Sequence, residues 1–292
     1  MVKRIFVIIS ALLVVLLLGS CTFSERYVSK SKIVHFSFDD VESVFYDLIV
    51  NKDDYTSIFD NDYLAELRHY HNMYGAKFTL YMYEESSRFR AADIPKKYKK
   101  EFSCNSDWLK IGYHWEKPEF RSDIPVRRFK DSFIAVNNSI KEFGDTSCIS
   151  STLRLHYYFC PDSLLSCITN LGGVKALLCA DTDGRLSYNL SDQESDILWN
   201  SRFYIKDGLK YFSTDLRLEN HLFPRRQLRK FLDRDTLVIF THEWAVTEQP
   251  FKNIVRTIVY DKRPRINYVN RKNIESTIKW LYYNGYEFSF LE

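Results

Sequence analysis

Two carboxylates, Asp39 and Asp40, stand side by side at the end of the apolar run "KIVHFSF". Adjacent like charges each raise the cost of ionising the other, so a pair at the tip of a buried strand calls for a cation or a guanidinium close by. Other side chains able to do chemistry follow similar runs. His114 ends "WLKIGYH", Arg154, His156 and Tyr157 lie in "TLRLHYYF", Asp181 and Asp183 follow "VKALLCA", and Thr241, His242 and Glu243 close "TLVIFTHE". Carboxylates, imidazoles and an arginine gathered at strand ends are the components of a metal site or an acid/base site.

The elements that must position them alternate between strand and helix. After "KIVHFSF", the segment "DNDYLAELRHYHNMYG" predicts a helix with Asp62 as N-cap and Gly75 as its stop, and "AKFTLYMY" a second strand. "WLKIGYHW" reads as a third strand. "VRRFKDSFIAVNNSIKEFG" predicts a helix burying Phe129, Phe133, Val136 and Ile140. "TLRLHYYF" then reads as a strand, "PDSLLSCITNLGG" as a helix and "VKALLCA" as a strand. Residues 202–219 predict a hairpin turned at Asp207 and Gly208. A helix near Arg225 to Leu232, the strand "TLVIFTHEW", the helix "RKNIESTIKWLYYNG" and the strand "YEFSFL" complete the domain. This alternation predicts an α/β fold with a mostly parallel sheet, open or closed into a barrel, whose strand carboxyl ends face the ligand.

Composition agrees with a folded domain: of 292 residues, 45% are hydrophobic and 16% aromatic. A net charge of +3 from 41 basic and 38 acidic side chains, without a long basic run, argues against a nucleic-acid partner. Besides Cys21 the chain has Cys104, Cys148, Cys160, Cys167 and Cys179, an odd number with no CxxC pair, read as buried thiols. His35 reads as a core histidine, and His69 and His71 as residues on a helix surface.

The motifs resemble those of the polysaccharide deacetylases of carbohydrate esterase family 4, over about Ile33 to Leu291. "SFDDV" is similar to that family's Thr-Phe-Asp-Asp-Gly, with Val41 in place of the glycine. "YGAKFTLYM" is similar to the passage that follows it, "IGYHW" to the start of the histidine motif, "LRLHYY" to the arginine and aromatic motif, "DTDGR" to the fourth, and "VIFTHEW" to the final strand with its histidine. The resemblance implies a distorted (β/α) barrel over residues 33–292 and a divalent metal, zinc first, with nickel, cobalt or manganese also suited. By it Asp39 is the general base, Asp40 and His114 are metal ligands, Arg154 orients Asp39, and His242 is the general acid, held by Asp183 or Asp181. The family's second histidine falls four positions after His114, where this chain has Pro118. Glu119 or His156 would complete the ligand set, with Glu116 a weaker third choice. Trp115, Tyr157, Tyr158 and Trp244 are candidates to stack on sugar rings. Two functions follow: an exported hydrolase that removes acetyl groups from a glycan, or a non-catalytic carbohydrate-binding lipoprotein on the same barrel. A glycosidase fits less well, because its two carboxylates must flank the sugar and Asp39 and Asp40 are adjacent.

At the N-terminus, Lys3 and Arg4 precede an apolar stretch from Ile5 to Leu18, followed by "LGSC". This is the order of a signal peptide, and "LGSC" resembles a bacterial lipobox. Residues 1–20 are then the leader, Cys21 the lipidated N-terminus, 21–32 a polar tether, and the cell envelope the location. Replacing Cys21 by Ala is expected to change the membrane association and mobility of the protein, and unchanged membrane association with an uncleaved N-terminus would count against the anchor. Electrophoretic mobility and fractionation in a bacterial host check it.

Overall fold

A computed structural model of the chain describes residues 31–182, 185–247 and 266–291. Strand β1 (Lys32–Val41) has no exposed residue, as a parallel strand covered on both faces requires. It pairs in parallel with β2 (Phe78–Tyr83) on one side and β9 (Thr236–His242) on the other. β3 (Leu109–Trp115) lies beyond β2, and β10 (Tyr286–Phe288) lies against the first residues of β1. A second sheet holds β4 (Thr152–Leu153), β5 (Ala176–Leu178), β7 (Leu209–Phe212) and β6 (Phe203–Lys206) in that order. Only β6 and β7 are antiparallel there, joined by the expected turn, where Asp207 and Gly208 both take positive φ.

The two sheets meet at both margins. Ile111 of β3 bridges Ile149, with the Ser150 N–H donating to the Ile111 carbonyl at 2.8 Å. From β7 the chain continues through Ser213 and Thr214 into β8 (Leu216–Arg217), which pairs with β9. The pairings therefore form two sheets, β3-β2-β1-β9-β8 and β4-β5-β7-β6, linked at these margins into one α/β fold of mostly parallel strands, with no closed barrel formed among the described residues.

Helices α1 (Ser43–Val50), α2 (Asp62–Tyr74), α3 (Lys99–Cys104), α4 (Val126–Phe143), α5 (Asp162–Thr169), α6 (Asp192–Ser201), α7 (Pro224–Leu228), α8 (Glu243–Val246) and α9 (Tyr268–Tyr283) accompany the strands. Leu64 and Leu67 of α2, Phe129, Val136 and Ile140 of α4, and Ile274, Ile278 and Leu281 of α9 share a core with Val34, Phe36 and Phe38 of β1. The alternate β1 residues, His35, Ser37 and Asp39, are buried on the strand's other face. Cys104, Cys148, Cys160, Cys167 and Cys179 are all free thiols, three of them buried.

Four local readings change. The N-cap of α2 is Asn61 rather than Asp62. Its side chain accepts from the Leu64 N–H at 3.0 Å and donates to the buried Asp47 of α1 at 2.7 Å, so one amide satisfies both helices where a second carboxylate would repel Asp47. Strand β4 stops after two residues, because the chain turns at His156 into a tight single turn in which Tyr157 and Tyr158 have φ of 56°. Helix α6 was not anticipated, although Ser191 and Glu194 form a capping box at its start. The helix expected near Arg225 to Leu232 is α-helical only to Leu228 and then tightens to a 3₁₀ turn.

The turn after β1 is fixed from a distance. The buried Glu243 carboxylate, at the end of β9, accepts backbone N–H groups of Glu42, Ser43 and Val44 at 3.0, 2.8 and 2.9 Å. It serves as the anionic cap of α1 and locks the peptide next to Asp40 onto β9. Glu243→Gln presents an NH₂ group to donors that need acceptors, and is expected to lower stability by about 1.5–3 kcal/mol, read as a shift in urea midpoint at constant slope.

Candidate metal centre and cleft

In a regular strand Asp39 and Asp40 would point to opposite faces. Here Asp39 pairs in register with His242 on β9, while the register with β2 shifts between Phe38 and Val41. Asp40 has φ of 56°, the left-handed region that Asp enters more readily than most residues. The break in alternation brings both carboxylates to the carboxyl end of the same strand array.

Three acceptors converge there. Oδ1 of Asp40 lies 3.0 Å from Nε2 of His114, at the end of β3, and 3.6 Å from Nδ1 of His156, in the turn after β4. The two imidazole nitrogens are 3.1 Å apart. Each ring is held from behind: His114 Nδ1 donates to the Arg154 carbonyl at 2.6 Å, and His156 Nε2 to the Pro118 carbonyl at 3.2 Å. A carbonyl only accepts, so those outer nitrogens carry the protons and the inner ones aim lone pairs at each other and at Asp40. Such a group needs a cation in its midst. A proton on His114 Nε2 can serve, and Asp40 raises the His114 pKa against the effect of burial. A divalent ion can serve as well. Ligands bound at 2.0–2.1 Å in a tetrahedron are roughly 3.3–3.4 Å apart, close to the separations seen here. The backbone carbonyls behind the rings are also what metal-binding histidines require.

The side chain brought to Asp40 and His114 is thus His156. Glu119 is exposed, and Glu116 is bound by Arg128 at 2.9 Å, so neither belongs to the cluster. Asp40 has further partners. The Tyr83 hydroxyl, at the end of β2, donates to Oδ1 and lies 3.2 Å from His156 Nδ1, and the Trp244 indole N–H donates to Oδ2 at 2.9 Å. Burial pushes the Asp40 carboxyl up, but the hydrogen bond and charge of His114, with His242 and Tyr83, hold it well below the usual range.

Asp39 has a different environment. It is buried 3.2 Å from Nε of Arg154, which is itself buried, donates to the Thr214 hydroxyl at 2.8 Å and lies 4.1 Å above the Phe240 ring. Oδ1 of Asp39 is buried without a hydrogen-bond partner. Burial raises its pKa and Asp40 adds to the rise, while Arg154 and the histidines oppose it. The two carboxylates therefore coexist by division: one is held ionised by imidazoles, the other is left proton-hungry beside a guanidinium.

On the facing wall, His242 Nδ1 lies 2.5 Å from Oε1 of Glu219, which Arg217 also approaches at 2.6 Å. Burial works against the Glu219 charge, yet the hydrogen bond and charge of His242, with the hydrogen bond from Arg217, hold its pKa at about 2. Glu219 thus takes the place expected for Asp181 or Asp183. Asp181 forms no hydrogen bond or ion pair with His242 among the described residues, and Asp183 lies outside them. The remaining nitrogen, Nε2, lies 3.8 Å from Asp40 Oδ2.

Two of the four expected sugar platforms are exposed: Trp244 at 47% and Tyr157 at 54%. Trp115 is packed against Phe120, Phe129 and Phe159, and Tyr158 is buried beside Arg154 and Arg185, so neither ring has a free face. Glu219 and Tyr83 were missed in the sequence. Tyr83 ends an apolar strand as the other candidates do, whereas Glu219 follows a two-residue strand too short to leave a pattern.

No protein-family model matches the chain, and no curated protein matches it in sequence. Among solved structures it is similar to the Xyl-CE4 domain of a multidomain xylanase from the hindgut metagenome of Trinervitermes trinervoides. Identity there is 10% and the TM-score 0.45, over 89% of this chain and 87% of that one. It is also similar to the peptidoglycan deacetylase PdaC from Bacillus subtilis, at 13% identity and a TM-score of 0.40, over 88% and 87%. A third is wild-type BA3943, a CE4 family pseudoenzyme from Bacillus anthracis, at 9% identity and a TM-score of 0.42. The match covers 88% of this chain and 63% of BA3943. The likeness is one of fold.

Removing even an outer partner that orients a metal ligand typically costs 10–100-fold in metal affinity, and removing a ligand itself should cost at least as much. Titrating zinc or cobalt into the protein by calorimetry should therefore show strongly weakened binding for Asp40→Ala, His114→Ala and His156→Ala, and unchanged binding for Glu119→Ala.

Proposed function

We propose that the chain is a metal-dependent hydrolase that removes acetyl groups from a glycan. The observation that carries this reading is the convergence of Asp40, His114 and His156, with both rings locked from behind, between an arginine-held carboxylate and a carboxylate-held imidazole. Those three side chains would hold a divalent ion, which would supply Lewis acidity and make a water easier to deprotonate. Asp39 is the base: Arg154 fixes one oxygen, and the other has a free acceptor position for a water proton. His242 is the acid. Glu219 holds Nδ1–H and stabilises the imidazolium, so Nε2 can deliver a proton to the departing amine or alcohol. Trp244 and Tyr157 offer exposed rings on which a sugar can lie. We further infer that Cys21 anchors the protein to the cell envelope, which suits an insoluble or surface glycan.

A second reading has one observation in its favour. Tyr83 and Trp244 already donate to both oxygens of Asp40, so that carboxylate has partners without a metal and the cleft could hold glycan without chemistry.

Acetate release from acetylated chitin and peptidoglycan fragments, with zinc, cobalt, nickel or manganese supplied, separates the two. Asp39→Asn is expected to retain metal and lose about 10²–10⁴-fold in kcat, because an amide cannot take up the proton. Glu219→Gln is expected to lose rate with little change in KM, since it acts through His242. A wild-type protein that binds these glycans, releases no acetate with any metal and is matched in binding by Asp39→Asn would establish the non-catalytic reading.

A further inference from the structure

Away from the cleft, residues 221–232, "HLFPRRQLRKFL", contain four cations and no acid. Their placement follows from the helical period. Pro224 and Leu228 are buried and Phe231 is partly so, which marks one face of α7 and its 3₁₀ extension as the inner one. Arg225, Arg226, Arg229 and Lys230 all fall on the opposite face and are exposed. No ion pair with these four is found among the described residues, and the Arg226 guanidinium lies 4.8 Å above the Phe223 ring. The nearest acids in sequence lie outside the segment: Glu219 is engaged by His242 and Arg217, and Asp233 follows it. Large apolar side chains flank the cations, with Leu222 71% exposed, Phe223 55% and Leu232 41%.

The segment also lies where the N-terminal chain enters the domain. Nζ of Lys32, the first residue of β1, donates to the Leu232 carbonyl at 2.9 Å. Eleven residue steps separate Cys21 from Lys32, a reach of at most about 40 Å.

We propose that this flank is a docking surface for an anionic phospholipid membrane. The cations meet headgroup phosphates, and Leu222, Phe223 and Leu232 enter the boundary between headgroups and acyl chains. Polyanions such as nucleic acids would use the charges and leave those three apolar side chains in water. Among the described residues no helix is long and apolar enough to cross a membrane. A tether alone lets the domain tumble; a charged flank next to the tether gives it one orientation. Each cation near an anionic surface contributes about fivefold in partitioning, so four together change occupancy by more than a hundredfold.

The test is hydrogen exchange on the full chain reconstituted into phosphatidylcholine vesicles with and without phosphatidylglycerol. Peptides covering 221–232 should exchange several-fold more slowly with phosphatidylglycerol present, and the protection should fade as salt is raised. The variant R225E/R226E/R229E/K230E should lose the difference while β1 and β2 peptides stay protected, which shows that it folds. Equal exchange on both vesicles, protection that survives charge reversal, or equal protection of the detergent-solubilised chain by single-stranded DNA would each overturn the proposal. None of these readouts depends on acetate release, so failure here is distinct from failure of the hydrolase reading.

Discussion

Three lone-pair donors aimed at one point are unstable without positive charge among them, and the rest of the cleft is arranged around that constraint. Carbonyl groups behind His114 and His156 prevent either ring from relieving the repulsion by exchanging tautomers. Asp40 cannot retreat, because its backbone is turned into the left-handed region and the next peptides are fixed by Glu243. The cluster therefore calls for positive charge, as a proton on His114 or as a divalent ion, before any substrate is considered. Asp39 and His242 take their opposite characters from lying on either side of it, one against a guanidinium and the other against a carboxylate.

The position of His156 shows how the third member of the cluster can come from another part of the chain. Pro118 has no side-chain donor, yet its carbonyl receives Nε2–H of His156 and so sets which nitrogen of that ring faces the cluster. The early end of β4 makes this possible. A longer strand would carry His156 on in extended conformation, whereas the turn through Tyr157 and Tyr158 returns it towards Asp40.

Long apolar runs made most of the fold legible. β1, β2, β3 and β9, the helices that cover them, and the hairpin at Asp207 and Gly208 all carry a period or a turn signal strong enough to read. Candidate residues at the ends of those runs were legible for the same reason, since a strand's carboxyl end is where a polar side chain can face solvent or ligand. Legibility failed where an element was too short to show a period. β4 and β8 have two residues each, and with them went the true position of His156 and the partner of His242. Trp115 and Tyr158 were misplaced because an aromatic residue next to a site looks the same in sequence whether it lines the cleft or packs beneath it.

Arg154 takes part in the cleft twice, through two independent parts of one residue. Its carbonyl fixes the tautomer of His114, and its guanidinium anchors Asp39. A change of side chain leaves the first contact in place and removes the second, so the half of the cleft built on Asp40 and the imidazoles is separable by heredity from the half built on Asp39. A lineage could lose the proposed chemistry in one step and keep an intact, charged pocket, ready to be retained for binding alone.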